Sequence, residues 1–225
     1  MKRLGREEIN RKALHVLSGT LIPGGIFYLP MVPGLNQAVP AAILAVLLAA
    51  ALTVEALRFH VPWVQRMFHV AAGPALRPKE ARSITGATYI FASGLLCALL
   101  FYTRPHIACM VLGMSILGDA AAALVGQSIG RIRIGEKTLE GTLGCFAVCL
   151  LLCLAVYPHL PRLLDAWGGR MPLLLAVAAS LCSCLLELFP LRLPGRTEIN
   201  DNLTVPVLTG LLMQWLYPWV SRVGW

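Results

Sequence analysis

The chain has 225 residues, of which 57% are hydrophobic and 13% are charged, and its formal net charge is +8. About a quarter of the residues in an ordinary soluble domain are charged, so this composition excludes a typical soluble protein and predicts an integral membrane protein. The positive charge requires no nucleic-acid partner, because basic residues that face anionic lipid head groups account for it. We therefore expect no nucleic acid among the partners, and the oligomeric state stays open.

Seven apolar segments follow one another along the chain, and most approach the ~20 residues that a helix needs to span a bilayer. They cover residues 13–29, 38–57, 84–102, 106–126, 142–157, 172–189 and 203–221. The fifth could equally extend from Leu139 to Pro158. The pattern predicts an all-α polytopic membrane protein with about seven transmembrane helices and a single domain over residues 1–225.

The basic residues predict the orientation of these helices, because cytosolic loops hold an excess of Lys and Arg. With the N-terminus in the cytosol, all but four of the 19 Lys and Arg residues fall on the cytosolic side. The exceptions are Arg104, Arg162, Arg170 and Arg222. We expect a cytosolic N-terminus, an external C-terminus and, in a bacterium, a place in the plasma (inner) membrane.

Residues 59–82 form a long connection that has the character of an interfacial segment. Apolar Trp63, Met67 and Phe68 alternate at roughly helical spacing with the polar residues Gln65, Arg66 and His69. Such a pattern is typical of a helix that lies in the head-group layer. This helix could anchor the chain or admit a substrate.

The seven cysteines all lie within the apolar segments, without a paired C-x-x-C of the zinc type. Cys145, Cys149 and Cys153 share one helix face at i, i+4 spacing. Buried thiols in such a helix are more often packing residues than metal ligands. The sequence therefore predicts neither a disulfide nor a zinc site.

Three acidic residues, Glu55, Asp119 and Glu187, lie inside or at the ends of apolar segments. A carboxylate within a transmembrane helix costs about 2.5–3.5 kcal/mol on insertion scales, so each needs a partner or a function. The predicted topology places all three toward the cytosol, which predicts a charged cavity on that side. A proton- or cation-coupled transporter is an alternative, although transporters usually hold coupling sites near the midplane between inverted repeats.

The stretch "GDAAAALVGQSIGRIRIGEKTLEG", residues 118–141, is the most informative part of the sequence. The helical neighbours of Asp119 are small residues, so a phosphate or another backbone could approach its carboxylate. Glycines and the cations Arg131, Arg133 and Lys137 follow, which predicts a nucleotide-binding loop at 127–141. It is not a P-loop, because Glu136 precedes Lys137 and no predicted strand precedes the loop. Tight helix packing around Asp119 is the alternative.

Several separated motifs give the chain a family resemblance. They are "EINRKALH" near the N-terminus, "EALR" with Glu55 and Arg58, "RPKEARSITGATY" before the third segment, the stretch that begins at Gly118, Glu187, and "DNLTVP" from Asp201. Together they resemble the CTP-dependent lipid-alcohol kinases, the group of dolichol kinase, phytol kinase and yeast-type diacylglycerol kinase. The resemblance spans nearly the whole chain.

This resemblance implies a kinase that transfers the γ-phosphate of CTP, with Mg²⁺, to the hydroxyl of a lipid alcohol such as a polyprenol, phytol or diacylglycerol. It implies catalytic residues Asp119, Glu140, Asp201 and His15, of which Asp119, Glu140 and Asp201 would also bind the metal. Nucleotide-binding residues would be Gly118, Gly126, Gly130, Arg131, Lys137, Thr138 and Gly141. Lipid- or phosphate-positioning residues would be Arg11, Lys12, Glu55, Arg82, Thr85, Gly86, Glu187 and Asn202.

Other roles stay open for the same residues and for the whole chain. Phosphatidate cytidylyltransferase shares a related central core, but its C-terminal K-D and H-G-G-x-x-D-R elements have no counterpart here, and "EINDNLTVP" favours the kinases. Arg11 and Lys12 could be topology anchors. Asp201 or Asn202 could cap the last helix, and His15 could be a general base or a hydrogen-bonded interfacial residue.

Overall fold

The computed structural model describes residues 12, 13, 16, 17, 19–72, 80, 83–192 and 199–222. Its α-helices are α1 (Leu21–Tyr28), α2 (Ala38–His60), α3 (Pro62–Ala72), α4 (Gly86–Leu100), α5 (Pro105–Ile129), α6 (Leu139–Leu151), α7 (Leu173–Leu188) and α8 (Asp201–Arg222). Helix α6 continues through a π-helical turn, Leu152–Val156, and a 3₁₀ turn, Tyr157–His159. Further 3₁₀ turns lie at Leu29–Met31 and Asp165–Trp167.

Four helical stretches are long and apolar enough to cross a membrane. They are Ala38–His60, Pro105–Ile129, Leu139–His159 and Asp201–Val220, and shorter apolar helices lie at Leu21–Met31, Gly86–Leu100 and Leu173–Leu188. This architecture fits the expected all-α membrane protein, and the fifth apolar segment takes the longer of its two expected extents. Seven spans and the orientation of the termini stay predictions.

Helix α5 is the centre of the bundle. In its most apolar window 61% of the residues are buried inside the protein, against 22% for α2. It packs most extensively on α6 and also contacts α1, α7 and α8. The apolar side chains of Met110, Leu112 and Met114 are almost fully buried there. Asp119, the predicted functional carboxylate, therefore lies on the most deeply buried of the four long apolar helices.

Glycines allow α5 and α6 to approach each other closely. A Cβ on Gly126 would lie 2.7 Å from Thr138 Oγ1, and one on Gly141 would lie 2.7 Å from the carbonyl oxygen of Ala122. Both distances are shorter than side chains tolerate, so a larger residue at either position would push the two helices apart. These glycines thus have a packing role, and a part in nucleotide binding stays a prediction.

Residues 127–141 are more ordered than the loop that the sequence predicts. Helix α5 continues to Ile129, and the strands β1 (Arg133–Ile134) and β2 (Lys137–Thr138) then form a short antiparallel hairpin. Gly135 has a positive φ of 62° at the first central position of the turn, where two-residue hairpins favour glycine. The hairpin is a small departure from the all-α expectation, and it places Lys137 directly before α6.

Helix α3 occupies the segment predicted to be interfacial. Trp63, Met67 and Val70 are 64%, 63% and 84% exposed, and their i, i+4, i+7 spacing puts them on one face. An exposed apolar face of this kind suits the boundary between head groups and acyl chains. The amphipathic helix is present, while its position in the head-group layer stays a prediction.

Candidate active site

Lys137 joins three elements that are distant in sequence. Its Nζ donates to the carbonyl oxygen and to Oε1 of Glu187 at the end of α7, and to Oδ2 of Asp201 at the start of α8, 3.2 Å away. We call Lys137, Glu187 and Asp201 the Lys137 cluster. It connects the hairpin with two helix ends, although the three residues lie up to 64 positions apart.

The Lys137 cluster is charged and partly open. The side chains of Lys137, Glu187 and Asp201 are 29%, 9% and 23% exposed. Burial opposes the charged form of Lys137, but the carboxylates of Glu187 and Asp201 outweigh it and raise the pKa of Lys137 above its ordinary value. Lys137 is therefore an ammonium ion throughout the physiological pH range.

A cavity of about 300 Å³ opens beside Lys137, between the hairpin and the end of α7. Its lining consists of Ile134, Gly135, Glu136, Lys137, Leu188, Phe189, Pro190 and Arg192. Phe189 is 58% exposed, so its ring is available to a ligand. Lys137 and Arg192 outnumber the one acidic residue of the lining, Glu136, and with the adjoining apolar surface they suit a ligand that combines negative charge with a flat apolar group.

Asp119 is paired with the N-terminal part of the chain. Lys12 Nζ donates to Asp119 Oδ2, and the Lys12 side chain is almost fully buried. Asp119 is also close enough to Glu187 to influence it electrostatically. The predicted residues Lys12 and Asp119 therefore lie next to the Lys137 cluster, and Lys12 is more than a topology anchor.

A second polar cluster surrounds Glu55 near the end of α2. Glu55 Oε1 accepts hydrogen bonds from the backbone N–H and the hydroxyl of Thr85, at 2.8 and 2.7 Å, and from the hydroxyl of Thr88 at 3.2 Å. Glu55 Oε2 accepts from Arg58 Nε at 2.5 Å. We call Glu55, Arg58, Thr85 and Thr88 the Glu55–Arg58 cluster, and all four residues are buried.

All three guanidinium nitrogens of Arg58 donate hydrogen bonds to oxygen atoms of the protein. Its Nη1 donates to the carbonyl oxygen of Glu80 at 3.0 Å, and its Nη2 donates to the carbonyl oxygen of Ser83 at 2.5 Å. The rings of Phe59 and Phe68 lie 4.4 and 4.7 Å from its Cζ. Arg58 thereby binds α2, α3 and the segment before α4 together.

Gly86 connects the Glu55–Arg58 cluster with the start of α8. Its backbone N–H donates to Glu80 Oε1 at 3.0 Å, and a Cβ placed on it would lie 3.2 Å from Asn202 Nδ2. Asn202 follows Asp201 of the Lys137 cluster. The predicted residues Glu55, Thr85, Gly86 and Asn202 thus form a continuous path to the candidate site.

The start of α8 is capped by a residue that the sequence did not single out. Asn200 Oδ1 accepts from the backbone N–H of Asn202 at 3.0 Å, as an N-cap side chain does. The same N–H also donates to Asp201 Oδ1 at 3.0 Å, so Asn200 and Asp201 share this contact at the start of α8. Asp201 Oδ2 is left to accept from Lys137.

Glu140 and Thr138 support the hairpin. Thr138 caps α6, since its Oγ1 accepts from the backbone N–H of Gly141 at 3.1 Å. Both carboxylate oxygens of Glu140 lie 3.2 Å from the backbone N–H of Ile132, which donates to them. Arg131 is exposed on the same hairpin. These residues hold the loop that carries Lys137.

The predicted metal ligands Asp119, Glu140 and Asp201 are not assembled as a compact trio. Among the described residues, no three carboxylates bring their oxygens within 4.8 Å of one another. The pair formed by Glu187 and Asp201 still suits Mg²⁺, which usually binds one or two carboxylates together with substrate phosphates. Of the other predicted site residues, Arg11, His15 and Arg82 lie outside the described part of the chain.

Sequence reasoning missed the far wall of the cavity. In the sequence, Arg192 is one of the basic residues that predict the topology, and Phe189 is the last residue of the sixth apolar segment. Neither belongs to a motif, and only the packing of the hairpin against α7 brings them beside Lys137. A basic residue close behind an aromatic one at the end of an apolar segment is the one indication that the sequence offers.

Comparisons with known proteins give distant relatives. The chain is 24% identical over 220 residues to a probable chloroplastic phytol kinase of Triticum aestivum, covering 94% of this chain and 68% of that protein. It is 23% identical over 221 residues to probable phytol kinase 2, chloroplastic, of Glycine max, covering 94% of this chain and 66% of that protein. The chain thus spans about two thirds of the length of these plant proteins.

A bacterial protein has a similar length. The chain is 24% identical over 216 residues to an uncharacterized protein of Rickettsia prowazekii (strain Madrid E), covering 95% of this chain and 96% of that protein. No protein-family model matches the chain. No solved structure matches it either.

Proposed function

We propose that this chain is a membrane kinase that transfers the γ-phosphate of a nucleoside triphosphate, CTP, to the hydroxyl of a lipid alcohol. The Lys137 cluster beside its cavity is the observation that carries this proposal. The similarity to two plant proteins named as probable phytol kinases, over 94% of this chain, supports the same class of reaction.

The cavity beside Lys137 is the proposed nucleotide site. Lys137 and Arg192 supply positive charge for the phosphates, and Phe189 offers a ring on which a base could stack. Ile134 and Gly135 of the hairpin line this site, and Arg131, which precedes the hairpin, is a further proposed cation for the phosphates. Phosphoryl transfer requires mainly positioning and charge stabilisation, which such a lining can supply.

Glu187 and Asp201 would hold Mg²⁺, and Asp119 lies near them. When bound, Mg²⁺ would neutralise charge on the β- and γ-phosphates. The carboxylate oxygens of this pair are the hard donors that the ion prefers. Glu140, whose oxygens both accept from Ile132, would instead keep the hairpin in place.

Asp119 is the proposed acceptor of the proton from the lipid hydroxyl. Its carboxylate is fixed by Lys12, and it lies on the central helix at the edge of the Lys137 cluster. A base must lie within hydrogen-bonding reach of the proton it removes, so the hydroxyl would approach between α5 and the start of α8. Asn202, Arg11 and His15 would position the acceptor, which could be phytol, a polyprenol or a diacylglycerol.

The proposed topology has seven spans, a cytosolic N-terminus, an external C-terminus and the site facing the cytosol. Contacts join Lys12, the end of α2, the starts of α4 and α8, the hairpin and the end of α7 at one end of the bundle. Consecutive helices that run up and down would produce this grouping. Nucleotides are available in the cytosol, and the plasma (inner) membrane is the proposed location in a bacterium.

The test is a kinase assay on the detergent-purified chain with γ-labelled CTP or ATP and a panel of phytol, polyprenols and diacylglycerol. We expect labelled lipid phosphate with CTP, and its loss in Lys137→Ala but not in Arg170→Ala, a change at an exposed arginine. CDP-lipid and pyrophosphate from phosphatidate would show a cytidylyltransferase instead. Ion-driven flux in liposomes without lipid phosphorylation would show a transporter.

A further inference from the structure

Three thiols meet in the interior between α6 and α7. The Sγ atoms of Cys145, Cys149 and Cys184 all lie within 4.8 Å of one another, and those of Cys145 and Cys184 are 3.1 Å apart. The three residues are 1%, 0% and 2% exposed. We call this set the thiol cluster. The sequence pattern had grouped Cys145 and Cys149 with Cys153, which contributes to a different contact.

Cys153 is not a member of the group of sulfur atoms that meet within 4.8 Å. Its Sγ lies 3.8 Å from Met114 Sδ, on the side of α6 that faces α5. Cys184 from α7 takes the third position instead, four positions along from the buried Ser180 and one turn before Glu187. Two helices therefore supply the three sulfur atoms, and this arrangement could not be inferred from spacing within one helix.

The backbone of α5 is shaped to leave space for these sulfur atoms. A Cβ on Gly118 would lie 2.9 Å from Cys145 Sγ and 3.1 Å from Cys149 Sγ. Any larger residue at that position would displace both thiols. Gly118 directly precedes Asp119, so the thiol cluster lies just behind the candidate site.

We propose that the thiol cluster binds one soft monovalent metal ion, Cu(I), in three-coordinate sulfur ligation. Soft thiolate ligands suit Cu(I), zinc and iron–sulfur clusters, so the number of sulfur ligands decides among them. Metal–sulfur bonds of about 2.3 Å place the sulfur atoms of a trigonal site about 4 Å apart. All three sulfur atoms lie within 4.8 Å of one another, and a separation of Cys145 and Cys184 by about 1 Å beyond their 3.1 Å would give that spacing.

The donor set favours Cu(I) over zinc. Structural zinc sites are almost always tetrahedral and need a fourth ligand. Among the described residues, the group of potential ligand atoms that meets here consists of these three sulfur atoms alone. Each thiol that becomes a thiolate on binding the ion releases its proton to water.

The bound ion would join α6 to α7 without entering the proposed reaction. Cys145 lies in the helix that follows the hairpin, and Cys184 lies one turn before Glu187. A metal–sulfur link between them would fix the two helices whose ends carry Lys137 and Glu187. The Mg²⁺ proposed for the phosphates prefers oxygen donors, so the two ions would not compete for one site.

The test measures Cu(I) binding by the purified full-length chain in detergent under anaerobic, reducing conditions, against a chromogenic Cu(I) chelator. We expect one Cu(I) per chain and a sulfur coordination number of three by X-ray absorption. Ag(I), which has no redox chemistry under these conditions, should compete for the same site. Failure to take Cu(I) from the chelator would overturn the proposal.

Alanine variants identify the ligands. Cys184→Ala and Cys145→Ala should weaken Cu(I) binding by more than the ~10–100-fold that loss of an outer-shell partner costs. Cys153→Ala is the matched control, since it removes a buried thiol from the same helix outside the cluster, and it should keep one ion per chain. Stoichiometric binding that survives Cys184→Ala, or is lost in Cys153→Ala, would contradict the assignment.

A variant that fails to fold is recognised by its elution profile in detergent and its helical circular dichroism. For such a variant, Cys184→Ser provides the second measurement, because a hydroxyl keeps the volume and a weak donor but not the soft sulfur ligand. We expect Cys184→Ser to fold and to lose Cu(I). Retention of Cu(I) with unchanged affinity would sink the proposal.

Discussion

The Glu55–Arg58 cluster and the Lys137 cluster are both groups of acids and bases at the same end of the bundle, but they are built differently. In the first, every oxygen of Glu55 and every nitrogen of Arg58 has a partner within the protein. In the second, Lys137 is 29% exposed and borders a cavity. The first cluster has no capacity left for a ligand, whereas the second can exchange partners.

This difference indicates that the Glu55–Arg58 cluster positions segments of the protein, whereas the Lys137 cluster can bind a ligand. A buried charge pair whose hydrogen bonds are all satisfied holds backbone segments in place, and removing one partner leaves the other uncompensated. The ammonium group of Lys137, which is 29% exposed and lies between two carboxylates, can move to a phosphate while a metal ion binds the carboxylates. We therefore expect changes in the Glu55–Arg58 cluster to affect stability first and changes in the Lys137 cluster to affect turnover first.

Arg58→Ala is expected to have the largest effect of all, and it should act on stability. Loss of the guanidinium leaves Glu55 buried without its cation and should cost about 3–5 kcal/mol of the free energy of unfolding. The melting temperature in detergent should fall by on the order of 10 °C. Differential scanning fluorimetry on the purified variant measures this change.

Exposed Arg170 provides the control for Arg58→Ala. Arg170→Ala should leave the melting temperature near that of the wild type. In the fraction of Arg58→Ala that stays folded, the KM for nucleotide should lie within about threefold of the wild-type value, because the Lys137 cluster loses no contact. A normal melting temperature for Arg58→Ala would show that the Glu55–Arg58 cluster is not structural.

Lys137→Ala should have the next largest effect, now on catalysis. Loss of a charge that stabilises the transferring phosphate should lower kcat/KM by about 10²–10³-fold. Lys137→Arg keeps the positive charge but changes its geometry, so it should retain part of the activity. The melting temperature should fall less than in Arg58→Ala, since the Lys137 cluster is partly solvated. Wild-type kinetics for Lys137→Ala would show that Lys137 does not bind the phosphates, and the basic residues of the hairpin would then serve only to orient the chain in the membrane.

Asp119→Asn should lower turnover by a factor on the order of 10² or more if its carboxylate accepts the hydroxyl proton. The amide keeps the shape and can still accept a hydrogen bond from Lys12, so the variant should fold, with a melting temperature lowered by the loss of the charge that compensates the buried ammonium group. Steady-state kinetics on the correctly inserted variant measure the change. Turnover within about threefold of wild type would assign Asp119 to packing instead.

Much of the fold could be predicted from the sequence because hydrophobicity is a local property. Each apolar segment overlaps an apolar helix of the structure. The hairpin was missed because its strands are two residues long, too short for a period-two pattern to be visible. Its turn glycine, Gly135, lies within the loop that the sequence predicts at 127–141.

The site was only partly predictable, because its contacts join distant parts of the chain. The sequence indicated Lys137, Glu187 and Asp201 separately but not that one ammonium lies between two carboxylates. Such partners are determined by how the helices pack, and the identity of a single residue does not indicate that packing. The same holds for Cys184, which reaches Cys145 from another helix.

A change at Phe189 should have the smallest effect, and it tests the cavity beside the Lys137 cluster most specifically. Its exposed ring lines the cavity but carries no charge, so it can contribute only contact area and stacking with a flat group. Aromatic pairs contribute about 0.5–1.5 kcal/mol beyond area burial, so Phe189→Leu should raise the KM for nucleotide by about 2–10-fold with kcat nearly unchanged.

Two further variants separate stacking at Phe189 from a general loss of hydrophobic surface. Phe189→Tyr keeps the ring and should keep the wild-type KM. Trp219 is 62% exposed near the end of α8, away from the cavity, so Trp219→Leu should leave the KM unchanged. A wild-type KM for Phe189→Leu would show that the nucleotide base does not stack on Phe189, although the phosphates could still bind Lys137. Equal increases in Phe189→Leu and Trp219→Leu would instead indicate a change in how the chain sits in its detergent or membrane.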